Sequence, residues 1–256
     1  MKIMLVPSSV RKQDNDPLQF VTSFLINDTV AIDAGCLGFF GAADEQARIE
    51  HVLISHTHID HLASLPLLIE NAYTGKPDPI TLHGSEAVLE CLKSDIFNNR
   101  VWPDFFTLAP PNAPFLRFEL IRPHETVELN GLRITPIPVD HVVPTLGFIV
   151  QDQTSSVVFS SDTGPTDEIW QHAHALPNLK GVFLELAFPN SLEWLAKLAK
   201  HHCVSSFAQE LTKLPTQVPV MAYHLKPRSY AQIVAELQQL GLPNVTVAVP
   251  GNVYSF

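Results

Sequence analysis

The stretch "ISHTHIDHLAS", residues 54–64, decides how the rest of this chain is read. It continues the apolar run Val52-Leu53-Ile54 and then places three histidines and an aspartate within six positions, His56 to His61. A short apolar run that breaks into polar residues predicts a buried strand ending at a turn. At such a strand end His56 and His58 reach one point, while Asp60 and His61 sit on the following turn and aim at a second. Neutral imidazole and carboxylate are good ligands for Zn²⁺, Mn²⁺ or Fe²⁺. A lone histidine in a turn reads as a solvated polar residue. An H-x-H-x-D-H run directly behind a hydrophobic strand reads as part of a metal site.

Four ligands so close in sequence cannot close two sites alone, so the remainder should stand at other strand ends. Three places fit. "PVDHVVP" supplies His141, "VVFSSDTG" supplies Asp162 and "VPVMAYHLKP" supplies His224. Each follows a β-like run and begins a turn.

The wider composition agrees with a globular protein. The chain has 256 residues, 46% of them hydrophobic, which is enough to bury a full core. No linker or low-complexity run divides it, and a single domain over 1–256 is expected. Net charge is −10, with 16 Lys+Arg against 26 Asp+Glu. No basic stripe appears, so a polynucleotide partner is disfavoured and a small anion is not. Cys36, Cys91 and Cys203 are widely spaced and odd in number, which suits buried thiols in a reducing compartment. "MKIMLVP" reads as a first strand rather than a signal peptide, and no apolar run reaches the length of a membrane span. A cytoplasmic protein with no membrane partner is the expectation.

Runs with β character recur: KIMLV, FVTSFLI, TVAID, HVLIS and ITLH, then FLRFELI, RITPIPV, LGFIV, SVVFSS, GVFLEL, VPVMAY and VTVAV. Helical patterns fall near 62–74, 85–97 with Ser85 as N-cap, 191–200, 205–214 and 229–240. Strands lead each half and helices come late, and two facing sheets with helices outside would bury them all. The segment 98–114, "NNRVWPDFFTLAPPNAP", reads as a long loop.

The series HTHIDH, His141, Asp162 and His224 resembles the ligand series of the metallo-β-lactamase-fold hydrolases, nearly end to end and in order. The resemblance implies an α/β fold, a four-layer αββα sandwich of two mixed sheets with helices outside. It implies one metal on His56, His58 and His141 and a second on Asp60, His61 and His224, with Asp162 bridging. Zn²⁺ leads the candidates for both ions, ahead of Mn²⁺ and Fe²⁺. "TVAIDAG" looks like that superfamily's early strand, whose aspartate, here Asp33, supports the metal loop. Within it the chain is most similar to class II 3′,5′-cyclic-nucleotide phosphodiesterases, on HTHIDHLASLPLLIENA, "SDIFNNRVWPDF" and "LELAFPN". The N-terminal "VPSSV" departs from the pattern by lacking the glycines usual in the first loop.

Two divalent ions roughly 3.5–4 Å apart bridge a hydroxide and clamp a phosphoryl oxygen. On this reading the substrate is cyclic AMP or cyclic GMP, opened to the 5′-monophosphate. Asp60 joins the catalytic set as a ligand rather than a free base. The resemblance points to Glu185 orienting a downstream histidine as general acid, with His202 first and its neighbour His201 as the other candidate. Trp102 and Phe105, with Phe106, are candidates to stack on a purine, and Lys226 to hold phosphate. The plainer reading packs that aromatic loop on its own sheet or on a second subunit of a homodimer. A same-fold tRNA 3′-processing endonuclease, sulfatase, lactonase or thioesterase is the alternative. An alternative of another class is a non-catalytic metal-binding or sensing protein.

Overall fold

The computed structural model describes residues 1–8, 17–215 and 217–256. Among these residues fourteen strands form two mixed sheets of seven each, with helices around them. The chain divides into two compact units.

One unit comprises residues 2–8 and 21–122. Its elements are β1 (Lys2–Leu5), β2 (Phe24–Ile26), β3 (Val30–Ile32), α1 (Ala43–Gln46), β4 (His51–Leu53), α2 (Ile59–Leu62), α3 (Leu65–Ala72), β5 (Ile80–Gly84), α4 (Glu86–Cys91) and β6 (Leu116–Leu120). These strands lie side by side in chain order. The first two pairings are antiparallel and those from β3 to β6 are parallel. All residues of β3 and β5 are buried, as parallel strands covered on both faces require. Ile32 pairs with Leu53 and Leu53 with His83, so β3, β4 and β5 run in step toward one carboxyl edge. In α3 the buried residues Leu65, Leu68 and Ile69 share a face at i, i+3, i+4 spacing. Ser85 caps α4 by accepting from the Val88 N–H at 3.4 Å. The helix then widens over 92–96, where the Phe97 N–H donates to the Leu92 carbonyl at 2.7 Å.

The other unit comprises, among the described residues, 1, 17–20 and 123–256. It holds β7 (Val127–Leu129), β8 (Leu132–Val139), β9 (Thr145–Gln151), β10 (Ser156–Phe159), α5 (Glu168–His174), β11 (Leu179–Glu185), α6 (Glu193–Ala199), α7 (Val204–Leu211), β12 (Val220–Tyr223), α8 (Tyr230–Gln239), β13 (Val245–Val247) and β14 (Val253–Ser255). The strand order is β13-β12-β11-β10-β9-β8-β7. Strands β10 to β13 are parallel, and the crossovers between them carry α5, then α6 and α7, then α8. Leu184, Val204, Phe207 and Ile233 are among the buried side chains of this unit's core.

Two expectations change. Helices alternate with the parallel strands rather than following them, because a parallel pair needs a crossover long enough to hold one. Helix α5 was not expected, and it stands where three helical residues, Ile169, Trp170 and Ala173, meet the core.

Candidate metal centre

In the first unit the His/Asp turn begins where β4 ends. Asp33 follows β3 at φ +60, a left-handed position that strains a residue carrying Cβ. Its N–H donates to the Leu53 carbonyl at 2.8 Å, which ties it to the adjoining strand. The carboxylate is buried and fully engaged. Oδ1 accepts from the Ser55 N–H at 2.8 Å, and Oδ2 accepts from the Ser55 hydroxyl at 2.8 Å and from His61 Nδ1 at 2.7 Å. Since a carboxylate only accepts, His61 carries its proton on Nδ1. The Ser55 hydroxyl spends its one proton on Asp33, so its oxygen accepts from His56 Nδ1 at 2.9 Å. Asp33 thereby sets the tautomer of two histidines, one directly and one through Ser55. Both rings keep an Nε2 lone pair for a metal.

The same turn is fixed from below. The Thr22 N–H donates to the Asp60 carbonyl at 2.8 Å, and the Ala34 N–H to the His61 carbonyl at 2.8 Å. A Cβ on Gly35 would stand 2.2 Å from the Asp60 carbonyl oxygen, so this position needs glycine. Donor atoms of His56 and His58 lie within 4.8 Å of one another, and so do those of Asp60 and His61.

In the second unit the parallel strands again end in ligand candidates. Asp162 stands just past β10, Glu185 ends β11 and His224 follows β12. Ser161 and His224 are left-handed, at φ +53 and +67. His224 Nε2 lies 3.3 Å from Asp162 Oδ2 and 2.8 Å from Lys226 Nζ, so the ammonium shares the nitrogen that a metal would take. His141 Nδ1 donates to the Lys200 carbonyl at 3.0 Å, which leaves its Nε2 as the acceptor. Donor atoms of Asp162 lie within 4.8 Å of those of His141 and of His224. Imidazoles with assigned tautomers beside carboxylates are the donor chemistry of a divalent metal ion, and these residues fit one.

The structure corrects one expected role. The imidazole on Glu185 belongs to His201, whose Nδ1 is 2.7 Å from Oε1. The Glu185 carboxylate also accepts from the Thr163 and His202 N–H groups, at 3.2 and 3.3 Å. The His202 ring turns to Ser206, with Nδ1 3.1 Å from the hydroxyl, and its buried Nε2 has no hydrogen-bond partner among the described residues. Burial, then His201, pushes its pKa down to about 3, so at neutral pH it is the neutral imidazole and lacks the imidazolium proton that a general acid gives. Lys200 decides between the neighbours. It closes α6 at φ +52, and this reversal turns His201 toward Glu185 and sends His202 inward. Burial lowers the His201 pKa, but the Glu185 carboxylate more than offsets this and the net direction is up. Burial likewise raises Glu185 against the pull of His201. The pair holds a proton across its short contact. The His201 ring lies 5.0 Å from that of His141 and 5.4 Å from that of His224.

Phe105 is also corrected. It is buried in the core of its unit and stacks on Phe115 at 4.4 Å and Phe97 at 5.3 Å, so no nucleobase reaches it. Trp102 is half-buried against the same core, and Phe106 lies 5.2 Å beneath the Lys93 ammonium. Ser55 escaped the sequence reading, since a serine preceding a ligand carries no signal of its partner. The three cysteines are free thiols. Cys36 is buried, which pushes it up to about 12. No helix among the described residues is long and apolar enough to cross a membrane.

The family described as "Beta-lactamase superfamily domain" matches the chain over residues 31–246. Among curated relatives, a "Probable 3′,5′-cyclic-nucleotide phosphodiesterase" of Yersinia pestis is 28% identical over 225 residues, covering 75% of this chain and 63% of that protein. "Endoribonuclease ysh1" of Schizosaccharomyces pombe is 28% identical over 162 residues, covering 58% of this chain and 21% of that protein. The chain thus spans less than two thirds of the length of either. Among solved structures, unliganded yeast PDE1 superposes with a TM-score of 0.78 at 16% identity, covering 98% of each chain. That likeness shows the fold.

Proposed function

The chain belongs to the beta-lactamase superfamily domain family, a family of metal-dependent hydrolases, and from that premise we propose that it is a phosphodiesterase acting on 3′,5′-cyclic AMP or a close cyclic nucleotide. His56, His58 and His141 would hold one divalent ion and Asp60, His61 and His224 a second, with Asp162 shared between them and Zn²⁺ as the preferred metal. When bound, such ions supply a nucleophile at neutral pH and positive charge for the phosphoryl oxygens. Asp33 and Ser55 keep the ring nitrogens of His56 and His61 oriented for that role. Three free cysteines, two of them buried, support a cytoplasmic setting.

The observation that carries the phosphodiester reading is the Glu185–His201 pair. Opening a cyclic phosphodiester expels a sugar alkoxide, a poor leaving group that needs a proton. Thioesters and aryl esters expel groups that do not. Glu185 grips Nδ1 of His201, so Nε2 is the atom that would deliver the proton to the 3′-oxygen. The relative named as an endoribonuclease favours a second reading, cleavage of RNA, on the same machinery.

The test is turnover of 3′,5′-cyclic AMP by Zn²⁺- or Mn²⁺-loaded protein, separating 5′-AMP from 3′-AMP, beside a chelated control. Metal-dependent release of 5′-AMP is expected. No turnover by protein that carries its metal would discard the cyclic-nucleotide reading. His201→Ala should cut kcat on cyclic AMP about 10²–10⁴-fold at unchanged metal content, and much less on a diester with an aryl leaving group.

A further inference from the structure

We propose a second, separate metal site on the surface of the unit that carries β7–β13, formed by His124, Glu168 and His172 and taking a divalent first-row ion, Zn²⁺ foremost. The three offer donor atoms that all lie within 4.8 Å of one another. Glu168 and His172 stand four residues apart on α5, hence one above the other on a single helix face. His124 comes from the turn before β7. Its Nε2 is 3.3 Å from Glu168 Oε1, and its ring stacks on that of His172 at 5.5 Å and 23°.

Two features set this cluster apart from scattered surface polarity. His124 sits at φ +68, a left-handed position where glycine or asparagine would cost less. Its N–H donates to the Pro136 carbonyl at 2.8 Å, so the backbone that presents the ring is held by β8. Two imidazoles and one carboxylate also make up a recognised three-residue zinc set, which leaves a fourth position for water. The neighbouring His174 on the same helix is engaged elsewhere, with Nε2 2.6 Å from the Lys213 carbonyl, and is not part of the set. None of the three residues belongs to the ligand series of the candidate metal centre.

The test is calorimetric titration of the metal-loaded protein with further Zn²⁺. The parent is expected to take up one equivalent that His172→Ala and His124→Asn do not, asparagine being chosen because it tolerates the left-handed backbone. Glu168→Gln, which keeps the shape and removes the charge, should weaken that equivalent about 10-fold or more. His174→Ala should bind like the parent, and metal-dependent turnover should be the same in all four variants. The readout is a difference between each variant and the parent, so it stands whatever the principal centre hydrolyses. Equal Zn²⁺ uptake by the parent, His172→Ala and His124→Asn would overturn the site, as would loss of the equivalent in His174→Ala.

Discussion

Asp33 holds a strained backbone and commits both carboxylate oxygens to Ser55 and His61. What the chain gains is a fixed donor geometry in two histidines. Asp33→Asn keeps the shape but replaces an acceptor by an amide that can donate, and the His61 Nδ1 contact loses its charge. Metal affinity is expected to fall about 10–100-fold. Metal content after dialysis against a graded chelator checks this, and parent-like retention would sink the tautomer argument. Gly35 acts on the same turn through bulk. A Cβ there would press on backbone at Asp60 and Thr22, and backbone cannot rotate aside as a side chain would. Gly35→Ala should therefore cost about 1–3 kcal/mol, read as a lower midpoint in thermal or urea unfolding. An unchanged midpoint would mean that the turn shifts freely.

Among elements, the adjoining strands β4 and β5 place His51 beside His83, with Nδ1 and Nε2 3.1 Å apart. Burial, reinforced by His51, pushes His83 down to about 4. The folded protein thus resists a proton that the unfolded chain accepts near pH 6.5. Stability from this pair is complete above that pH and is lost as pH falls toward about 4. Melting temperatures taken from neutral pH down through that window should decline, and His83→Gln should flatten the decline. An unaltered slope in the variant would place the pH dependence elsewhere.

The strands themselves were legible because buried parallel strands must be apolar at their centres, as Val30-Ala31-Ile32 in TVAID and Val182-Phe183-Leu184 in GVFLEL are. Helix α5, EIWQHAH, was not, since seven residues with two histidines on the polar side show little period. The choice between His201 and His202 was beyond reach for a sharper reason. It turns on one left-handed residue, Lys200, a type with no preference for that conformation. Phe105 misled because an aromatic in a proline-rich segment looks the same whether it faces solvent or stacks on Phe115.

At the scale of the molecule, charge separates the two readings that the family leaves open. The candidate donors were readable because metal donors must be particular residue types at strand ends, whereas the substrate is chosen by surface and shape. A chain of net charge −10, with 16 basic residues, has little with which to grip a polyphosphate backbone. A protein that neutralises 6–10 phosphates loses about 10³–10⁵ in affinity between 50 and 200 mM salt, whereas one small monoanion involves no such counterion release. Over that same range kcat/KM for cyclic AMP is therefore expected to change less than about 10-fold, while single-stranded RNA and a precursor tRNA go uncleaved. Cleavage of either RNA with a steep salt dependence would transfer the centre to the nuclease reading. The Glu185–His201 pair would keep its part in that case, because a ribose oxygen leaving a linear diester needs the same proton as one leaving a cyclic diester.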